Sequence, residues 1–122
     1  MHEMSIAEGI IDIVERTAKQ AGISRVKSVR ISVGKLAGVD IPSLQFAWES
    51  VTRGGPAEGA ALDIERPEGE AWCFDCSKNV PLKQFGEPCP FCGGYRLQPT
   101  GGTEMRVIDF VPADDDEDAG QS

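Results

Sequence analysis

Two Cys-x-x-Cys pairs, Cys73-Phe74-Asp75-Cys76 and Cys89-Pro90-Phe91-Cys92, stand twelve residues apart and set the tightest limit on how this chain folds. Four thiols at that separation converge on one ion, each pair offering two sulfurs from a single turn and the two turns completing a tetrahedron. Zn²⁺ suits such a set because it accepts thiolate and has no geometric preference from its d electrons. Pro90 stiffens the second turn, and Gly93-Gly94 let the backbone leave it with positive φ. With all four positions filled by protein there is no place for water or substrate, so the expected metal is structural. The segment Ser77 to Pro88 is short and polar, with only Val80, Leu82 and Phe85 able to pack. The ion is therefore expected to supply most of this lobe's folding free energy. Two alternatives compete. Paired disulfides need an oxidising compartment, and the start Met1-His2-Glu3-Met4 lacks the basic and apolar regions of an export signal. A thioredoxin-like redox motif needs one pair at a helix start inside a βαβ unit.

A length of 122 residues suffices for one modest core plus the cysteine lobe. With 20 acidic against 12 basic side chains the net charge is −8, which argues against a nucleic-acid partner. No apolar run approaches the ~20 residues of a membrane span. Free thiols without an export signal point to a reducing cytoplasm. The segment 112–122 carries Asp114-Asp115-Asp116-Glu117-Asp118 and is expected to be a disordered acidic tail, a solubilising end rather than a store for hard cations.

Elsewhere the periodicity alternates between helix and strand. From Met4 to Ala21, Ile6, Ile10, Ile13, Val14, Ala18 and Ala21 fall at helical spacing, with Ser5 and Glu8 placed as a capping box and Gly22 as the stop. Val29, Ile31 and Val33 alternate with Ser28, Arg30 and Ser32 as a strand. Asp40 or Ile41 caps a second helix with Pro42 in its first turn and a stripe of Leu44, Ala47, Trp48 and Val51, which Gly54-Gly55-Pro56 ends. Trp48 and Phe46 read as core aromatics or as a docking patch. Ala61 to Arg66 and Thr103 to Val111 read as further strands. The fold class is α+β: two helices packed on a small β-sheet, with an inserted four-cysteine zinc-ribbon-like lobe. Its boundaries fall at 1–66 plus 103–111 for the α/β part and 67–102 for the lobe. The lobe is entered through Pro67 to Glu70 and left through Pro99 to Gly102.

The single histidine is residue 2. A bulky second residue blocks removal of the initiator methionine, so a free α-amine is expected on Met1, with an ordinary pKa of about 7.7–8.0. That amine, the His2 amide nitrogen and the His2 imidazole can close fused chelate rings, with Glu3 beside them. Nitrogen-rich tetragonal coordination of this kind suits Ni(II) or Cu(II). On the residues alone the commoner reading of such a start is a mobile terminus with an incidental histidine.

Met1-His2-Glu3-Met4-Ser5, the stretch from Ile31 to Asp40 (Ile-Ser-Val-Gly-Lys-Leu-Ala-Gly-Val-Asp) and the two cysteine pairs, the second as Cys89-Pro90-x-Cys92-Gly93, occur in the same order as in the HypA/HybF family. The chain resembles that family from about Met1 to Val111. The resemblance implies a nickel metallochaperone for [NiFe]-hydrogenase maturation, with transient Ni(II) at the amino terminus on Met1 and His2 and structural Zn(II) on Cys73, Cys76, Cys89 and Cys92. It associates Glu3 and Asp40 with the nickel site, whereas from its position alone Asp40 is equally a helix cap. It implies as partners the nickel-handling GTPase HypB and the hydrogenase large-subunit precursor. The oligomeric state stays open between monomer and weak dimer. Some relatives carry histidines flanking the cysteine pairs, and this chain has none. The alternative is a zinc-ribbon protein–protein adaptor without nickel traffic. An enzyme is not expected, because the thiols are committed to metal and the only histidine is terminal.

Overall fold

The computed structural model describes residues 3–113. Met1, His2 and the acidic tail from Asp114 onward, on which several of the sequence expectations fall, lie outside the described residues. The elements follow the order α1 (Glu3–Gln20), β1 (Val26–Val33), α2 (Ile41–Thr52), β2 (Ala61–Glu65), β3 (Glu70–Cys73), β4 (Lys78–Pro81), β5 (Leu97–Gly101) and β6 (Met105–Pro112). The class is α+β, as the periodicity indicates.

α1 buries Ile6, Ala7, Ile10, Ile11, Val14 and Ala18, an i, i+3/i+4 stripe, and packs against α2. Ile11 is buried where the sequence reading placed Ile13; Ile13 and Ala21 face solvent. The expected capping box also gives way. The helix already includes Glu3, so Ser5 and Glu8 lie within it on its exposed side. Its far end is the expected glycine stop. Gly22 has φ 71°, the Ile23 N–H donates to the Ala18 carbonyl at 2.8 Å, and the Gly22 N–H donates to that of Lys19 at 3.2 Å. This pair of bonds is a Schellman closure.

α2 buries Leu44, Ala47, Trp48 and Thr52. Trp48 is thus core, its indole N–H donating to the Ala60 carbonyl at 2.9 Å, while Phe46 points to solvent. Three strands form a sheet of order β2-β1-β6. The Arg30 guanidinium on β1 donates to both carboxylate oxygens of Asp109 on β6, at 3.2 and 2.7 Å, and holds that carboxyl below its usual range. The last strand therefore pairs next to the first although the cysteine segment lies between them in sequence.

The second sheet, order β4-β3-β5, is antiparallel throughout, with Cys73 opposite Lys78 on one side and Leu97 on the other. Glu70 and Pro99 to Gly101, expected as linker, are strand. The alternation Glu70 exposed, Ala71 buried, Trp72 exposed, Cys73 buried carries the strand signal. Pro99 is tolerated because β5 is an edge strand.

Contacts divide the chain into two units. One comprises the chain up to Ile31, Val39–Asp63 and Val107 onward; the other comprises Ser32–Gly38 and Ile64–Arg106. Relative to the sequence boundaries, this division counts residues 32–38, 64–66 and 103–106 with the cysteine-bearing unit. The reason is local: the Lys35 and Leu36 N–H groups donate to the Pro67 and Gly102 carbonyls, and Leu36 packs with Ala71 and Leu82. A second small cluster joins Cys73, Val80 and Cys89, with Leu97 against both. Phe85, expected to pack, is exposed. Among the described residues no helix is long and apolar enough to cross a membrane.

Candidate metal centres

The first cysteine turn is the hairpin joining β3 to β4, and the second directly precedes β5; both close in the same way. The Ser77 N–H donates to the Cys73 carbonyl at 2.8 Å, and the Gly93 N–H to the Cys89 carbonyl at 2.9 Å. The residue after each pair has left-handed backbone, Ser77 at φ 55° and Gly93 at φ 76°. Backbone N–H groups point at sulfur: Cys76 at Cys73, Phe91 at Cys89 and Gly94 at Cys92, each at 3.4 Å. Such donors stabilise thiolate over thiol.

The four sulfurs lie within 4.8 Å of one another. Cys73 and Cys92 approach to 3.7 Å, and Cys76 and Cys89 to 3.8 Å. These separations are far beyond the ~2.05 Å of a disulfide, and all four cysteines are free. A regular tetrahedron with metal–sulfur bonds of about 2.3 Å has edges of about 3.8 Å. The donor set and its spacing therefore fit one tetrahedral, thiophilic ion. Burial pushes the Cys89 thiol up, but N–H donation from Cys92 and Phe91 outweighs it and brings it down to about 6. The surrounding sulfurs, that of Cys92 first, together with burial push Cys76 up to about 12. Unloaded, the cluster thus retains protons that an incoming ion must displace.

The two left-handed positions carry different residues, which gives a paired test. At Gly93 an added Cβ meets nothing within 4 Å, so Gly93→Ala costs only the conformational penalty, about 1 kcal/mol. Ser77→Gly removes the same penalty at the equivalent position and raises stability by about 0.5 kcal/mol after the added chain entropy. Thermal unfolding of the metal-loaded proteins checks both; shifts of the same sign would remove the equivalence.

A second constellation lies where two helices begin. Glu3 is in the first turn of α1, and Asp40 is the N-cap of α2. The Asp40 N–H donates to Glu3 Oε2 at 2.9 Å, and this bond holds the Glu3 carboxyl below its usual range. Asp40 makes no side-chain cap bond; its Oδ2 instead accepts the Ser43 hydroxyl at 2.9 Å. The structure thus brings together Glu3 and Asp40, which are 37 positions apart, and adds Ser43, which the sequence reading missed. A hydroxyl three residues after an N-cap aspartate was its only sequence signal.

A family model described as HypA, hydrogenase/urease nickel incorporation, metallochaperone, matches residues 1–111. The hydrogenase maturation factor HypA of Cupriavidus necator is 48% identical over 114 residues, covering 93% of this chain and 96% of that relative. Its counterpart in Polaromonas naphthalenivorans is 49% identical over 115 residues, covering 94% and 100%. The solution structure of the nickel metallochaperone HypA from Helicobacter pylori superposes with a TM-score of 0.63 at 25% identity, over 92% of this chain and 97% of that one. A further HypA solution structure gives 0.68 at 25% identity, over 93% and 97%. With the match spanning both the helix-start constellation and the four-cysteine cluster, the chain belongs to the HypA family of hydrogenase-maturation, nickel-incorporation metallochaperones.

Proposed function

We propose that this protein carries Ni(II) at its amino terminus and, in the cytoplasm, hands it to the [NiFe]-hydrogenase large-subunit precursor in concert with the GTPase HypB, while Zn(II) sits permanently on Cys73, Cys76, Cys89 and Cys92. The observation that supports the nickel site most directly is the hydrogen bond from the Asp40 N–H to the Glu3 carboxylate, one residue along from His2. The Met1 amine, the His2 amide nitrogen and the His2 imidazole supply nitrogen donors, and Glu3 and Asp40 supply negative charge.

The placement suits a carrier. Both helices start here, and the positive ends of two helix dipoles disfavour a bare cation. Two carboxylates and a chelating terminus offset that repulsion. An ion held by such a balance at a chain end is easier to surrender than one enclosed by protein. The four-cysteine cluster has the opposite character, with two of its sulfurs buried.

Native-terminus protein titrated with nickel tests the reading. His2→Ala, or residues added before Met1, is expected to weaken nickel binding at least about a hundredfold, since loss of a direct ligand exceeds the 10–100-fold typical of outer partners. Zinc content and fold should stay unchanged. Wild-type binding should also weaken between about pH 8 and 6, because amine and imidazole must be unprotonated to ligate. Undiminished affinity in the His2→Ala protein would remove the terminal site. A second reading, an adaptor without nickel traffic, draws on the exposed Phe74 and Phe91 at the two cysteine turns, stacked under Arg96 and Lys78. The same titration separates the two.

A further inference from the structure

We propose that Ser43 is a positioning residue for the nickel site, keeping the Asp40 carboxylate available by holding it off the end of its own helix. The proposal rests on the amino-terminal nickel site set out above.

An aspartate at a helix N-cap ordinarily turns its carboxylate onto the backbone N–H of the second or third helical residue. At the start of α2 the second residue is Pro42, which has no N–H, so the third, Ser43, offers the remaining donor of this kind. Yet Asp40 makes no side-chain cap bond. Its Oδ2 accepts the hydroxyl of that same Ser43 at 2.9 Å. Backbone and side chain of one residue therefore compete for one carboxylate, and in this structure the side chain prevails.

The other half of the arrangement comes from α1. In an ordinary capping box the third helical residue is Glu or Gln and reaches back to the N-cap N–H. Here that position is Ser43, and the Asp40 N–H is taken by Glu3 at 2.9 Å from the other helix. The capping box is divided between two helices: Glu3 fixes the main chain of Asp40, and Ser43 fixes its carboxylate. Asp40 is exposed, so without a second fastening its side chain would be free to rotate. Held by the hydroxyl at Oδ2, it keeps Oδ1 and further lone pairs available as acceptors. Restraining a ligand beforehand removes ordering entropy from the binding step.

The proposal separates from a structural role by the sign of two readouts. Ser43→Ala deletes the competing hydroxyl and lets the carboxylate fall onto the residue 43 N–H as a conventional cap. Alanine is also a better helix former than serine. Stability should therefore hold or rise while nickel binding falls. A side chain needed only for the fold would lower both.

The experiment titrates native-terminus protein with nickel alone, beside zinc analysis and thermal unfolding, for wild type, His2→Ala, Ser43→Ala, Ser43→Thr, Asp40→Ala and the Ser43→Ala/Asp40→Ala double variant. Ser43→Ala should bind nickel roughly three- to tenfold more weakly, the factor corresponding to one restrained side chain. Ser43→Thr, which keeps the hydroxyl, should restore binding. In the Asp40→Ala background Ser43→Ala should add no further loss, because the two act through the same carboxylate. If Ser43→Ala binds nickel as tightly as wild type while Asp40→Ala and His2→Ala weaken it, the role of Ser43 is overturned and the terminal site stands. If Asp40→Ala also binds as wild type, Asp40 is no part of the site and the positioning role falls with it. If His2→Ala too leaves binding unchanged, the terminal site itself fails.

Discussion

Replacing Cys89 with Ser is expected to release the metal from the four-cysteine cluster and to unfold the β3–β5 unit, while α1 and α2 stay helical. Cys89 is buried, lies 3.8 Å from Cys76 and shares a cluster with Cys73 and Val80. Serine removes a thiolate from a closed set and leaves three sulfurs, with Cys76 stripped of its close partner on the other turn while Cys73 and Cys92 still face each other. The apolar support around the cluster is thin: Ala71, Val80 and Leu82 are the buried aliphatics that strands and turns of this lobe contribute, with Leu36 brought from elsewhere in the unit. In so small a core the ion's binding free energy is folding free energy. Hydrogen exchange should show lost protection for the amides of β3, β4 and β5 and retained protection in α1 and α2. Metal analysis should show the cluster empty. A variant that retained both ion and protection would show that apolar packing alone holds these strands.

The second large effect concerns a glycine with no role in metal chemistry. A Cβ built on Gly34 falls 2.1 Å from the Gly102 carbonyl oxygen and 2.2 Å from its carbon. Both are backbone atoms that no rotamer change can move aside. The Gly34 N–H also donates to the Glu104 carbonyl at 2.9 Å, and the Leu36 N–H to the Gly102 carbonyl at 2.8 Å. Gly34→Ala must break this close approach, at a cost of about 3 kcal/mol or more. For a chain of this size that lowers the unfolding midpoint by roughly 10 °C. Differential scanning calorimetry of metal-loaded protein checks it, and a shift below a few degrees would mean that the backbones are not in contact. The substitution is a useful control, since it perturbs the fold without touching any candidate ligand.

What could be read in advance divides by range. The cysteine cluster was legible because its geometry is nearly local: each pair sits in one turn, and only the meeting of two turns had to be supplied. The Gly22 stop, the second helix with Pro42 near its start and the α+β class were legible for the same reason. The faces of α1 were legible to within a residue. Ile11 and Ile13 fit a helical stripe about equally well, and the neighbours that α1 meets chose Ile11.

Other features were outside its reach. The strand β3 was masked because Cys73 was read as a ligand and not also as an inward-facing strand position. Residues 32–38, the end of β1 and the loop after it, fall by chain position with the helices, whereas Leu36 finds its apolar partners in Ala71 and Leu82. The N-cap of α1 was placed at Ser5 because the capping-box pattern lies there, although Glu3, at the start of the helix, is bonded to the other helix.

Taken alone, the order of residues determined the repeating patterns: thiols at turn spacing, apolar side chains at helix and strand periods, one histidine at position 2. Only the tertiary structure decided that Glu3 meets Asp40, that Ser43 and not a backbone amide engages the Asp40 carboxylate, and that Leu36 belongs with the cysteine strands. The physical reason is the same in each case. Periodicity records which side of an element is apolar, because that is a property of consecutive residues. Which partner meets that side, or takes a given hydrogen bond, depends on how all the elements pack at once.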